Sequence, residues 1–148
     1  MERLEAVLRE FFDSWEKRIN GEWLPTVGPM ERRFLGALKQ MNPGWVVKCD
    51  TQVNVGQYYI DIALWVRTFK GTAKIAIEID GPEHRENWEK DMTRSLYLQE
   101  NGWKVLRFWN EDVYTNPEAC VAQVAKVVVG WYEYELQGWK NPYVCTAG

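Results

Sequence analysis

Tyr58–Asp91, YYIDIALWVRTFKGTAKIAIEIDGPEHRENWEKD, is the stretch on which the reading of the whole chain turns. It holds two apolar runs with the alternation and β-branched content of strands, and acids interrupt both: Asp61 in the first, Glu78 and Asp80 in the second. A carboxylate set among aliphatic side chains loses its hydration and gains nothing in return unless it is paired. Acids in two neighbouring strands suggest one shared partner, most simply a divalent cation. A Gly-Pro turn follows, and then His84, the single histidine of the chain.

Strand parity sharpens this. Tyr59, Asp61, Ala63 and Trp65 fall on one face of the first run, with Ile60, Ile62, Leu64 and Val66 on the other. In the second run Ala73, Ile75, Ile77 and Ile79 share a face, opposite Lys74, Ala76, Glu78 and Asp80. Each strand therefore has an aliphatic face and an acid-bearing face, and the acids can converge.

Outward from this centre, WVVKCDTQVNV supplies a preceding strand, and Gly56 and Gly71 mark the reversals of an antiparallel meander. A helix is expected from about Glu83 to Glu100, with Trp88, Met92, Leu96 and Tyr97 as its apolar residues. Asn101-Gly102 ends it, and WKVLRFW (103–109) is a fourth strand, so that the helix is the crossover that parallel pairing requires. Upstream, Pro29 opens a helix to Met41 with Phe34, Leu35 and Leu38 buried and Glu31 in the first turn. Residues 2–19 are expected to form an amphipathic helix. Asn116-Pro117 caps and opens a last helix to about Leu136, and the tail beyond Gln137 has no clear pattern. The expectation is an α/β fold in the order α-α-β-β-β-α-β-α, a central mixed four-stranded sheet flanked by helices. One domain spans 1–148: an extra N-terminal helix over 1–20, a core over 29–116, and a C-terminal helix and tail over 117–148.

The totals fit a packed domain. Of 148 residues 46% are hydrophobic, with nine Trp, and the formal net charge is −3. Cys49, Cys120 and Cys145 have no CxxC spacing, and one histidine does not complete a zinc set with them. No apolar run reaches transmembrane length and no signal peptide opens the chain, so a soluble, cytoplasmic protein is expected.

The acids suit Mg²⁺ or Mn²⁺ chemistry. Asp61 and Glu78 would supply carboxylates and Ile79 a backbone carbonyl, leaving positions for water and phosphate oxygens. Such an ion polarises a phosphodiester and lowers the pKa of an attacking water. His84, titrating near neutrality, suits a general base or a phosphate ligand. Asp80 points the same way as Glu78 and could hold a second ion or orient a water. Asp91, if on one helix with His84, lies two turns away, about 10 Å. Lys74 and Arg107 serve either as phosphate ligands or as counter-charges to a nearby acid. Ordinary alternatives stand beside these: Glu78 and Asp80 on a solvent-facing edge, Asp61 paired with Arg67 or Arg107, His84 in a plain loop, Asp91 in a surface ion pair. Trp88, Trp103 and Trp109 are assigned to the core rather than to base stacking.

PMERRFLGAL, YYIDIAL, IEIDGPEH and EKDMTRSLYLQENGWKVLRFWNEDV together resemble the PD-(D/E)XK nucleases and, more narrowly, the relatives of the very short patch repair endonucleases. The resemblance runs from Pro29 to about Asn116. It implies a restriction-endonuclease-like fold and the Glu, Asp, His, Asp series of the family's homing-endonuclease branch, here Glu31, Asp61, His84 and Asp91. In that family the first Asp binds metal, the His takes part in hydrolysis, and the Glu and second Asp support the site. Two departures stand out. The lysine expected two residues after the strand acid is Asp80, which shifts weight onto His84, and no residues are present for the structural zinc site of the repair enzymes. The implied activity is metal-dependent cleavage of DNA, as a nicking or double-strand endonuclease, with RNA as the alternative substrate. The N-terminal helix packs on the core or mediates self-association, which would allow a homodimer. The rival readings are a catalytically silent module binding nucleic acid or protein, and a structural subunit.

Overall fold

The computed structural model describes residues 28–81 and 88–145. The N-terminal helix expected over 1–20, and His84, lie outside the described residues. Helix α1 spans Pro29–Met41, followed by strands β1 (Val46–Val55), β2 (Tyr58–Arg67) and β3 (Thr72–Asp80). Helix α2 covers Trp88–Glu100, β4 Trp103–Trp109, α3 Asn110–Thr115, α4 Pro117–Leu136 and β5 Val144–Cys145. Local chemistry sets several of these bounds. Pro29 occupies the first turn of α1, where its missing N–H costs nothing, and Asn42 closes that helix in the left-handed conformation at φ 45°. The Asn116 side chain accepts the Ala119 N–H at 3.1 Å, capping α4 ahead of Pro117.

Strands β1, β2 and β3 are antiparallel neighbours, and β4 joins β3 in parallel through the α2 crossover. The sheet is five-stranded rather than four-stranded. Val144 and Cys145 pair with Ala73 and Thr72, in the space beside β3 ahead of the first β4 pair, Lys74–Trp103. The short α3 is a second addition to the expected order.

The sheet is covered on both faces. Below it, Phe34, Leu35 and Leu38 of α1 and Val121, Val124 and Val128 of α4 pack on Ile62, Leu64, Ile75 and Ile77. Full burial of such side chains contributes roughly 1.5–3 kcal/mol each. Above it, Leu98 of α2 packs with Ala63, Ala76, Trp103 and Ile60. Ile60 is a correction, since strict alternation groups it with Ile62 on the lower face. The facing strand explains the change: Gln52 takes a left-handed φ of 52°, and the register skips from Thr51–Ile62 to Val53–Ile60, so the ladder is broken opposite Asp61.

The inward face of α2 also differs from expectation. Trp88, Met92 and Leu96 are exposed, and Leu98 is the buried residue of the helix. Asp91, Arg94 and Ser95 share its partly buried side. This helix lies across the acid-bearing face, so polar groups turn inward and the apolar stripe turns out. Trp103 is core, but Trp88 and Trp109 are 60% and 38% exposed. Among the described residues, no helix is long and apolar enough to cross a membrane.

Candidate functional site

The β2–β3 ladder runs from Arg67–Thr72 to Ile62–Ile77 and stops, although β2 begins at Tyr58 and β3 continues to Asp80. Over the same residues β3 stays paired with β4 as far as Asp80–Trp109. The sheet therefore forks between β2 and β3, and backbone groups at the fork need other partners. Side chains supply them. Asp61 Oδ2 accepts the Ile79 N–H at 3.2 Å, standing in for a strand partner. Arg94, reaching in from α2, donates through Nη2 to the Tyr59 carbonyl and to both oxygens of Glu78, the latter at 2.9 Å each.

Glu78 is fully buried at this fork. Loss of hydration raises its carboxyl most, the Asp61 charge raises it further, Arg94 lowers it, a hydrogen bond with Asp61 raises it, and Arg107 lowers it; the result is about 9. Burial and the neighbouring Asp61 thus favour the protonated form of Glu78, against the ion pair that Arg94 makes with both of its oxygens. Two carboxylates kept together by one proton form a donor set that a divalent ion can occupy in the proton's place. Mg²⁺ is characteristically held by one or two carboxylates with several waters, so the pair and the neighbouring Ile79 carbonyl fit such an ion. Among the described residues no group of three or more His, Cys, Asp or Glu is gathered as a closed metal cage.

Glu31 approaches from the start of α1. Burial raises its carboxyl, hydrogen bonding to its own backbone lowers it, the Asp61 charge raises it, and hydrogen bonding to the Gly28 backbone lowers it, with a net upward shift. A side chain at Gly28 would collide with it, because a Cβ there would run into Glu31 Oε2. Glu31, Asp61 and Glu78 are thus electrostatically coupled across three elements.

Asp80, Arg107 and Asp91 form an adjoining group. Arg107 Nε lies 3.7 Å from Asp80 Oδ2 and its Nη1 3.7 Å from Asp91 Oδ2. Asp80 is buried with Glu78, so neither occupies a solvent-facing edge. Arg107 is here the counter-charge of Asp80 and Asp91, the second of the two roles open to it. Lys74 lies apart from the acids, a correction to its candidacy as a phosphate ligand. It sits opposite Trp103, with Nζ donating to the Asn101 carbonyl at 3.0 Å and lying 4.8 Å from the Trp103 ring centroid. Four residues of strand separate Lys74 from Glu78, roughly 13 Å.

Arg94 is the residue sequence reasoning missed. Its signal was its helical spacing: Asp91, Arg94 and Leu98 follow i, i+3, i+7 and share one face, so an inward Leu98 implies an inward Arg94. An open cleft of about 590 Å³ adjoins the second group, lined by Asp80, Trp88, Asp91, Met92, Ser95, Arg107, Phe108 and Trp109.

Comparison with known proteins agrees with this architecture. An uncharacterized protein of Haemophilus influenzae is 34% identical over 70 residues, covering 47% of this chain and 41% of the relative. The uncharacterized protein YcjD of Escherichia coli is 33% identical over 70 residues, covering 47% of this chain and 55% of that protein. The type II nicking enzyme V.HpaIIP of Haemophilus parainfluenzae is 39% identical over 46 residues, 31% of each chain. The chain thus spans about half the length of the first two relatives, and no solved structure matches it. Residues 31–128, from Glu31 of α1 through the forked sheet into α4, match the model of the restriction-endonuclease-like family REase_MTES_1575, and the chain belongs to that family.

Proposed function

We propose that this protein is a metal-dependent endonuclease that hydrolyses phosphodiester bonds in DNA. The observation that carries the reading is the forked sheet edge, where Asp61 and the fully buried Glu78 stand together with Glu31 in electrostatic range. Asp61, Glu78 and the Ile79 carbonyl would hold Mg²⁺ or Mn²⁺. When bound, the ion supplies Lewis acidity toward the phosphate and a more acidic water. The Ile79 N–H fixes the Asp61 carboxylate, Glu31 is coupled to it electrostatically, and Arg107 holds Asp80 and Asp91 beside the cleft. His84 is assigned the proton transfer; it lies outside the described residues. Asp80 stands where the related nucleases carry lysine, so a lysine-assisted water is not part of this scheme.

The likeness to the nicking enzyme V.HpaIIP supports cleavage of one strand; the very short patch repair-like branch is proposed on the resemblance of the sequence motifs alone. The experiment is incubation of pure protein with supercoiled plasmid, single-stranded DNA and RNA, with Mg²⁺, with Mn²⁺ and with chelator. Conversion of plasmid by wild type with metal, lost in Asp61→Ala, is expected, and an open-circular product ahead of any linear form marks nicking. No conversion under any divalent ion would discard the enzyme reading.

One observation favours a second reading. Arg94 already contacts both Glu78 oxygens, which is how a site would look if an internal cation had replaced the metal. A catalytically silent module would then bind DNA with no dependence on divalent ion, and Asp61→Ala would leave that binding unchanged.

A further inference from the structure

Glu78 already has a cation beside it. Nη2 of Arg94, reaching in from α2, lies 2.9 Å from each Glu78 oxygen. The same nitrogen donates to the carbonyl of Tyr59, which lies beyond the last β2–β3 pair at Ile62–Ile77. A terminal guanidinium nitrogen carries two hydrogens, so the three oxygens around it must share them. Arginine ordinarily meets a carboxylate as a fork, with two nitrogens matched to two oxygens. Here one nitrogen is equidistant from both oxygens, as a metal ion chelated by a bidentate carboxylate would be.

Two features make this contact replaceable. Arg94 Nε is buried without a hydrogen-bond partner, so the pose leaves unmet a donor that water would satisfy. The Arg94 side chain keeps 19% of its surface exposed, against 1% for Glu78. The guanidinium therefore has a way out to solvent, and the carboxylate has none. A divalent ion held by Asp61 and Glu78 would compete with Nη2 for the same lone pairs, and like charges at that range repel strongly where water is excluded. Either cation neutralises Glu78, and each disfavours the other.

We infer that Arg94 is a built-in counter-ion, which ties the fork together in the metal-free protein and which a divalent ion must displace from Glu78 in order to bind. The inference rests on the nuclease reading for the identity of the metal pair. It goes beyond that reading in making metal binding an exchange of cations, with Arg94 setting how tightly the protein holds its ion. In the silent-module reading, by contrast, Arg94 never leaves Glu78.

The test uses full-length protein without DNA and reads Mn²⁺ binding by titration calorimetry in wild type, Arg94→Gln and Arg94→Lys. Glutamine keeps an amide donor and loses the charge, whereas lysine keeps the charge. Removing a support weakens a site and removing a competitor strengthens it, so the sign of the change decides. Arg94→Gln is expected to bind Mn²⁺ roughly tenfold or more tighter than wild type, and Arg94→Lys to stay within about threefold of wild type. Asp61→Asn in the Arg94→Gln background should cancel the gain, which assigns the ion to the fork. In chelator Arg94→Gln should melt below wild type, and Mn²⁺ should raise its melting temperature by more than it raises that of wild type. Wild type carries a second readout that serves if the glutamine variant does not fold. NMR of the Arg94 guanidinium nitrogens should show restricted rotation without metal and its release at saturating Mg²⁺. Equal or weaker Mn²⁺ binding by Arg94→Gln overturns the inference, as does a gain that survives Asp61→Asn or a guanidinium still held at saturating Mg²⁺. Tighter binding by Arg94→Gln with no plasmid cleavage by wild type would uphold the exchange and discard the nuclease reading alone. Metal-dependent plasmid cleavage with no gain in Arg94→Gln would discard the exchange alone.

Discussion

Glu78→Gln tests the electrostatics of the fork most directly. In the metal-free protein the Glu78 carboxyl is pushed from the ordinary 4.5 up to about 9, mainly because its charge would be stripped of water. The unfolded chain releases this proton above about pH 4.5, and the folded chain keeps it until about pH 9. Between those values the folded state binds more protons, so the contribution of Glu78 to stability is full below 4.5 and is lost as pH rises toward 9. The limiting slope is tenfold in the folding equilibrium per pH unit, roughly 1.4 kcal/mol. The glutamine of the variant has no proton to lose and keeps an amide oxygen for Arg94 Nη2. Urea denaturation in chelator at pH 5, 6, 7 and 8 should show wild type losing stability relative to Glu78→Gln by up to roughly 1.4 kcal/mol per unit. In melting temperature that is about 3–6 °C per unit for a chain of this size. Adding Mg²⁺ or Mn²⁺ at pH 8 should restore wild type and leave the variant unchanged, because only the carboxylate exchanges its proton for an ion. A wild type-to-variant difference that stays flat from pH 5 to 8 would refute the reasoning. It would mean that Glu78 is ionised throughout, as a plain ion-pair partner of Arg94.

Asp61→Asn should lower divalent-ion binding, read by calorimetry, by more than the roughly 10–100-fold typical of losing an outer-shell group; an unchanged affinity would remove Asp61 from the metal set. Gly28→Ala should cost about 1 kcal/mol by displacing the Glu31 carboxylate from the helix start, and the loss should shrink in a Glu31→Ala background, measured as a thermal-denaturation double-mutant cycle. Glu135→Ala should destabilise by roughly 2–4 kcal/mol, since the buried carboxylate accepts the Phe69 and Lys70 N–H groups at 3.1 Å each at the β2–β3 turn. Cleavage measured well below the melting temperature should be unaffected, because this turn lies at the end of β2 and β3 remote from Asp61 and Glu78.

Local rules made much of the fold legible. Alternation along Ala73–Ile79 marked one core face, the Asn116-Pro117 pair marked a helix start, and Asn101-Gly102 before WKVLRFW marked the crossover into a parallel strand. Each of these features is set within a few residues, so the sequence carries it. β5 escaped because two residues pair only where β4 leaves the flank of β3 open. The exposed Trp88, Met92 and Leu96 escaped because a helix stripe shows which residues lie together, not which way they face.

Asp61 and Glu78 could be singled out from the chain itself, since a carboxylate inside an aliphatic strand has to be explained by what surrounds it. Arg94 across the fork, Ile60 on the upper face and Arg107 between Asp80 and Asp91 were decided only in three dimensions. The physical reason is competition among distant groups: where β2 parts from β3, several side chains are able to satisfy the freed backbone and the buried charge, and packing selects among them.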